Sequence, residues 1–362
     1  MKKHSIVASA MFLLCVMGYG VSHADWTEKI KFKGDIRLRH ETISVEDKDA
    51  RNRERIRLRF GAEATPREDL KIVFQLASGS DDPISTNQTL GSAFSTKSVG
   101  IDLAYLQWNP SSLSALTVEA GKIKNPFHLA GGTELVWDSD LNPEGFAMGL
   151  GGGSESLKGF FTFAALPVLE RSSVEDAVLY GVQAGMNFKL DDRGTGLMLG
   201  ASYFDYSNTQ GFVPFYETDD GKGNSLDGSG QYLYDYNLFE GFAELGFKAG
   251  KVPANLFFDY VVNTSPTDEN KGWLVGISAG KCKNPGSVAV RYNYRDEERD
   301  AVIGAFTDSD FRSGGTDAKG HEFGLDIQVA APAKVAVTYF HNQLGTQETG
   351  YDRFQLDFNV KF

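Results

Sequence analysis

Residues 351–362 read YDRFQLDFNVKF, and this stretch decides the fold. Apolar side chains occupy every second position from Phe354 to Phe362, and polar ones from Arg353 to Lys361 lie between them. Strict alternation of this kind is typical of a β-strand with one apolar face and one hydrated face. The stretch also finishes on an aromatic side chain. We therefore predict a strand with one face in an apolar medium.

The same alternation recurs along the chain, for example in residues 30–39, 55–64 and 196–206. About sixteen such runs are joined alternately by short turns and longer polar loops, which is typical of outer-membrane barrels. A tilted strand of about ten residues crosses the hydrocarbon core of a bilayer. An unpaired edge in lipid is costly, so we expect the first strand, 30–39, to pair with 354–362. Residues 101–108 keep no single register, and we expect a bulge there.

The predicted fold is therefore all-β: a transmembrane antiparallel β-barrel of about sixteen strands. The main alternative is a soluble periplasmic β-sandwich, which buries its alternating apolar faces in a core. Two stacked sheets would not need 26 Phe and 14 Tyr.

The N-terminal segment has the composition of a secretory signal. Two lysines and a histidine at positions 2–4 precede an apolar run over 6–21, and small residues lie at 22–24. We predict a signal peptide at 1–24 and a single barrel domain at 25–362. No later run is long and apolar enough for a membrane-spanning helix. Cys282 is the single cysteine after residue 24, so no internal disulfide is expected.

Composition and spacing exclude several classes of function. The formal net charge of −12 disfavours a nucleic-acid partner. Four histidines follow the predicted signal, and none has the serine neighbour that nucleophilic catalysis needs. We find neither a Cys/His cluster for zinc nor a spaced calcium loop. The sequence therefore predicts no enzyme, no cofactor and no metal site.

A ladder of basic side chains occupies the polar face of the first three strands. Near the bilayer midplane each would cost roughly 2–4 kcal/mol on the lipid face, so we expect them to line the lumen. A barrel of this size is too wide for side chains to fill, which favours water inside. The alternative is a salt-bridged plug. The ladder comprises Lys31, Lys33, Arg37, Arg39, Arg55, Arg57, Arg59 and Lys71.

A long insertion, GKIKNPFHLAGGTELVWDSDLNPEG at 121–145, follows the fifth predicted strand. Its segments GKIKNPF at 121–127 and WDSDLNPEG at 137–145 resemble the third loop of a family of putative porins of Gram-negative outer membranes, related to the phosphate-selective porins. With the signal, the strand count and the final Phe362, the resemblance extends over essentially the whole chain after residue 24. It implies that this loop folds into the barrel and narrows the pore. Its charged residues are Lys122, Lys124, Glu134, Asp138, Asp140 and Glu144.

The resemblance implies an outer-membrane channel for passive diffusion of small hydrophilic solutes and ions, in a protein exported through the periplasm. It also implies three kinds of partner: outer-membrane lipid and lipopolysaccharide, the barrel-assembly machinery that reads Phe362, and two further copies in a homotrimer. Two alternatives stay open. One is an anion- or phosphate-selective channel. The other is a non-conducting structural or adhesive barrel, which would not need an inward loop.

Ion preference is open at this stage. The basic ladder favours anions, whereas the acidic insertion and the net charge favour cations. We expect other acidic residues, such as Asp308 and Asp310, to lie in outer loops where salt screens them.

Overall fold

The computed structural model describes residues 29–216 and 220–362, and these form one closed antiparallel barrel of sixteen long strands. The all-β barrel prediction is confirmed, while the predicted signal peptide at 1–24 lies outside the described residues. Among the described residues, no helix is long and apolar enough to cross a membrane. The strands are β1 (Ile30–Val45), β2 (Arg51–Arg67), β3 (Leu70–Ser78), β4 (Gln88–Thr89), β5 (Val99–Trp108), β6 (Leu116–Lys122), β7 (Glu144–Gly153), β8 (Leu157–Leu169), β9 (Ala177–Lys189), β10 (Gly196–Tyr206), β11 (Tyr236–Ala249), β12 (Val252–Asn263), β13 (Lys271–Gly280), β14 (Val288–Glu297), β15 (Ala318–Ala330), β16 (Ala333–Leu344) and β17 (Thr349–Lys361).

The barrel closes between its first and last strands, as predicted. β1 pairs with β17 from Asp35 opposite Lys361 to Val45 opposite Tyr351. Beyond this ladder, Gly34 and Phe362 exchange two backbone hydrogen bonds of 2.8 and 3.0 Å. The two-residue strand β4 is an addition to the edge of β2 and is not one of the sixteen barrel strands.

Alternate side chains face opposite environments on the strands that the sequence singled out. On β17, Leu356 and Phe358 are exposed on the outer surface, while Arg353 and Asp357 are buried inside. On β2, Leu58 lies outside. The outer surface of these strands is therefore apolar and suited to hydrocarbon, and the inner surface is charged.

Short turns connect the strands at one end of the barrel, here called the turn end, and longer segments connect them at the other, the loop end. Numbered in chain order, the loops used below are loop 2 (79–98), loop 3 (123–143), loop 4 (170–176) and loop 7 (298–317).

The predicted irregularity in β5 is a bulge at Asp102. Gln75 of β3 pairs with Leu103, the next residue Leu76 pairs with Ile101, and Asp102 is left without a partner in that ladder. The extra residue lets both Asp102 and Leu103 be buried. Asp102 then accepts a hydrogen bond of 2.7 Å from Asn142 Nδ2, which ties the wall to loop 3.

The hydrophobic core lies inside the barrel, between the inward loops and one side of the wall. Loops 3 and 7 fill this part of the lumen, so the barrel interior is not a simple open channel. The core includes Phe127, Leu135 and Trp137 of loop 3, Val302 and Ile303 of loop 7, and Phe204, Tyr206, Leu238 and Val261 of the wall.

Candidate functional site

A cavity of about 970 Å³ remains in the lumen between loop 3 and the wall formed by β1, β2 and β14–β17. Its lining is rich in charged side chains of both signs, which suits water and hydrated solutes. The basic residues are Arg37, Arg39, Arg57, Arg59, Lys281, Lys283, Arg291, Lys334 and Lys361, and the acidic ones are Asp35, Glu134, Asp308, Asp310, Glu322, Asp326 and Asp357.

Polar contacts, including a clamp at Gln183, and aromatic packing hold loop 3 inside the barrel. Gln183 of β9 accepts a hydrogen bond of 2.7 Å from the His128 backbone N–H and donates one of 3.0 Å to the His128 carbonyl. The Phe127 ring meets Phe204 edge to face, with the centroids 4.8 Å apart. The Trp137 ring also packs against Phe204, with the centroids 5.2 Å apart. Loop 3 therefore turns its apolar face to the wall and its polar face to the cavity.

Asp140 of loop 3 contacts two arginines of the basic ladder. Its Oδ1 atom lies 3.6 Å from Nη1 of both Arg57 and Arg59. The same two arginines also contact Asp35, at 2.9 and 2.8 Å. The sequence thus identified the two sides of this contact, although it did not identify Asp35 as a shared partner.

Loop 7 also enters the lumen, which the sequence analysis missed. Asp310 contacts Arg39 at 3.0 Å and Arg353 at 2.6 Å. Arg39 makes a bidentate contact with Asp357, at 2.7 and 2.8 Å. Arg353 reaches Glu41 at 2.6 Å. The arginine wall is therefore matched by carboxylates more fully than the ladder alone indicated.

The prediction that Asp308 and Asp310 lie in a salt-screened outer loop is wrong. Asp308 is buried and contacts the buried Arg295 at 2.9 Å. The reason is the apolar run AVIGAF at 301–306, most of which is buried in the core. An apolar run inside an apparently polar loop was the signal that could have revealed the inward path.

Arg37 differs from its neighbours on the ladder. Its Nη2 atom donates a hydrogen bond of 2.7 Å to Asn87 Oδ1 in loop 2. No ion pair joins it to any residue that the structure describes. Arg37 therefore lines the cavity without a direct ion pair to a described carboxylate.

The other ladder residues lie away from the cavity. Arg55 Nη1 is 3.6 Å from Glu41, toward the loop end. Lys33 pairs with Glu63, Lys71 is near the same carboxylate, and Lys31 is exposed near the turn end.

The charged residues of the insertion also separate into different environments. At the base of loop 3, Lys122 Nζ donates to the Asn142 carbonyl at 3.0 Å and contacts Glu144 at 3.2 Å. Lys124 is exposed, and Asp138 is buried behind the loop. Of the residues predicted to line the constriction, Glu134 lines the cavity and Asp140 reaches the arginines.

An acidic cluster, in which Asp138 and Asp308 are buried and Glu134 is half-buried beside the cavity, connects loop 3 to loop 7. Glu134, Asp138 and Asp308 each place one carboxylate oxygen within 4.8 Å of the others, a spacing that a cation could bridge. However, Ser139 N–H donates to Glu134 Oε1, Ser309 N–H to Asp138 Oδ2, and Arg295 to Asp308 Oδ2, each at 2.9 Å. We interpret the cluster as a clamp between two loops.

Removal from water dominates the electrostatics of this cluster. It raises the pKa of the Glu134 carboxyl well above its ordinary value, and repulsion from Asp138 and Asp308 raises it further. The pKa of Asp138 is raised for the same reasons, with Asp140 and Asp308 as the repelling charges.

Comparisons with known proteins give the same architecture. A family model described as putative porin matches residues 43–218 and 237–362. Three solved structures are similar: Pseudomonas putida OprB at high pH (10% identity, 93% of this chain and 95% of that one, TM-score 0.62), Salmonella typhi OmpF with daunomycin (13%, 92% and 97%, 0.55) and a mutant of the Rh. blastica porin (13%, 91% and 100%, 0.51). At these identities the likeness shows the fold alone. Comparison with curated protein sequences gives no match.

Proposed function

Because the chain belongs to the family of putative porins, we propose that it forms a water-filled outer-membrane channel for passive diffusion of small hydrophilic solutes and ions. Loop 3 sets the narrowest cross-section of this channel. Family membership indicates a channel rather than an enzyme, and the lack of catalytic activity stays a prediction.

The observation that carries this proposal is the cavity in the lumen, where carboxylates of loops 3 and 7 and arginines of β1 and β2 line the same space. Asp140 contacts Arg57 and Arg59 directly, at 3.6 Å from each, and so anchors loop 3 to this arginine wall. A negatively charged loop facing a positively charged wall creates a field across the lumen. Fields in a confined, low-dielectric surrounding are stronger than in bulk water. Small dipolar solutes orient in such a field and pass, whereas large or apolar ones are rejected by size and by the loss of hydration. Charged walls of this kind decide ion preference.

We further infer a modest preference for anions. Four basic side chains line the cavity without an ion pair to any described residue: Arg37, Lys281, Lys283 and Lys361. Among the described carboxylates that line it, Glu134 alone also lacks an ion pair. The unpaired charge is therefore mainly positive. An anion- or phosphate-selective channel is the stricter form of this proposal, and the relation to the phosphate-selective porins stays a prediction.

Single-channel recording in planar bilayers under a salt gradient tests the proposal. We expect steady ohmic steps and a reversal potential of the sign that marks anion preference. Replacing Arg37, Arg57 and Arg59 by Gln should move that potential toward cation preference, and Asp140→Asn should move it the other way. Arg193→Gln, in the exposed turn between β9 and β10, is the matched control.

Two results would count against the proposal. Folded protein without conductance would favour the non-conducting structural or adhesive barrel. An unchanged reversal potential after all three arginine substitutions would mean that these residues do not face the ion path.

We also propose that the protein assembles as a homotrimer. Its Gram-negative origin and its export through the periplasm are part of the same proposal. β6 pairs with β5 only from Ala104 onward, which leaves the edge of residues 99–103 unpaired on that side. An open edge is costly in lipid, so a neighbouring subunit would cover it. Exposed Val99 and Ile101 lie on this edge, exposed Phe94 precedes it in loop 2, and all three support the same interface. Lipid and lipopolysaccharide would contact the remaining apolar surface, and the barrel-assembly machinery would read Phe362.

A further inference from the structure

Two histidines from different strands meet on the outer surface of the barrel. His321 of β15 lies directly opposite His341 of β16 in the antiparallel register. Their rings are stacked, with the centroids 6.4 Å apart and the planes 17° from parallel. Exposed Phe323 and Tyr339, at alternating positions on the same strands, mark this face as the outward one. Both histidines lie near the loop end of their strands, where water is accessible.

One ring nitrogen of each histidine already has a partner. His321 Nδ1 lies 3.0 Å from the Tyr292 hydroxyl, and His341 Nδ1 lies 2.8 Å from Asp352 Oδ1. The Tyr339 hydroxyl donates to the same Asp352 oxygen at 2.6 Å. A partner on Nδ1 fixes the tautomer and the orientation of a metal-binding imidazole. Neither Nε2 has a hydrogen bond to a described residue, and each can act as a ligand in the tautomer whose Nδ1 donates to this partner.

We propose that His321 and His341 bind a divalent transition-metal ion of the copper–zinc class through their Nε2 atoms, with water completing the coordination. Imidazole nitrogen suits these metals, and copper binds such ligands most tightly in the divalent series. Metal–nitrogen bonds of about 2.0–2.1 Å require the two Nε2 atoms to lie within about 4 Å of each other. The exposed His341 side chain and the open groove around it, lined by Tyr292, Phe323 and Tyr339, leave room for the rings to tilt together.

His40 provides a matched control on the same surface. It is also exposed, and its Nδ1 lies 2.6 Å from Glu54 Oε1. Its cross-strand neighbours are Leu356 and Glu54, so no second imidazole faces it. His40 therefore has the carboxylate partner without the two-histidine geometry.

The experiment is titration of the tag-free exported protein with Cu²⁺, followed by competition with a chelator and by electron paramagnetic resonance. We expect one site with two nitrogen ligands, which Zn²⁺ displaces. His321→Gln or His341→Gln should weaken binding roughly tenfold or more and leave one nitrogen ligand, and Asp352→Asn should weaken it through the position of His341. His40→Gln should change nothing. Channel conductance should be unaffected throughout, which separates this proposal from that of function.

Equal loss of Cu²⁺ binding in His40→Gln and in the two paired variants would overturn the proposal, because it would indicate scattered surface sites. Unchanged binding in both His321→Gln and His341→Gln would overturn it equally.

Discussion

The ring of Phe362 lies over Gly34, so close that a methyl group at position 34 would lie 2.6 Å from a ring carbon. The same methyl group would lie 2.6 Å from the Arg59 carbonyl oxygen, on the neighbouring strand. Because the first and last strands meet here, Gly34→Ala should strain the seam of the barrel. We expect a loss of about 1–3 kcal/mol in the free energy of unfolding, as for other overpacked sites. Denaturant unfolding of the barrel in detergent measures it.

Gly241→Ala is the control for this substitution. Gly241 lies within β11, and nothing lies within 4 Å of a methyl group added there. Where the native backbone accepts it, Gly→Ala stabilises a protein by about 0.4–1 kcal/mol. If the two variants lose stability equally, contact with Phe362 is not what constrains position 34.

The Gln183 clamp predicts the effect of loosening loop 3. Gln183→Leu leaves the half-buried His128 N–H and carbonyl without their partner, and each unsatisfied group costs up to about 1–3 kcal/mol. We expect the segment of loop 3 around His128 to loosen and larger sugars to pass, measured by the swelling rate of proteoliposomes in sugars of increasing size. Gln107→Leu is the control, because Gln107 bonds to Asn109 at 2.7 Å and not to loop 3. An unchanged size limit in Gln183→Leu would contradict the view that loop 3 sets the cross-section.

Strand pattern and barrel closure were predictable because period-two alternation reports directly on which face meets hydrocarbon. The polar face from Arg353 to Asp357 was identified from the pattern and lies inside. The bulge at Asp102 was predictable for a related reason, since a single extra residue shifts the alternation and leaves a visible mismatch of faces.

The position of each inward side chain along the barrel axis was not predictable in the same way. Arg55, Arg57 and Arg59 follow one pattern, yet Arg57 and Arg59 meet Asp140 while Arg55 meets Glu41. The difference depends on how deeply loop 3 enters the barrel. Packing of Phe127 against the wall determines this depth, and the local sequence does not show it. The His321–His341 pair depends likewise on the register between two strands, which becomes visible only in the folded barrel.

The acidic cluster of Glu134, Asp138 and Asp308, between loops 3 and 7, predicts that the stability of the protein depends on pH. The pKa of Glu134 is raised above its ordinary value of 4.5 by removal from water and by the neighbouring carboxylates. The native protein therefore retains a proton that the unfolded chain has released, so stability falls as the pH rises from about 4.5 through the raised pKa. Glu134→Gln should remove this loss, since its amide oxygen still accepts from Ser139. Thermal unfolding of both proteins as a function of pH measures the difference.

The expected result is a stability advantage of Glu134→Gln that widens as the pH increases above 4.5. Glu155→Gln is the control, because Glu155 is exposed in a turn beside Lys189. Parallel curves for the wild type and Glu134→Gln would show that this carboxyl titrates as it does in the unfolded chain.

Exposed Phe94 of loop 2 predicts where the subunits of the proposed trimer meet. Phe94 is fully exposed, and it precedes by five residues the unpaired edge of β5 at residues 99–103. Covering an aromatic side chain stabilises association, so Phe94→Ser should shift the protein from trimer to monomer in mild detergent, measured by analytical ultracentrifugation. Val174→Ser, at an exposed apolar position in loop 4, should leave the trimer intact. A trimer that tolerates Phe94→Ser but dissociates with Val174→Ser would place the interface beside β8 and β9 instead of β5.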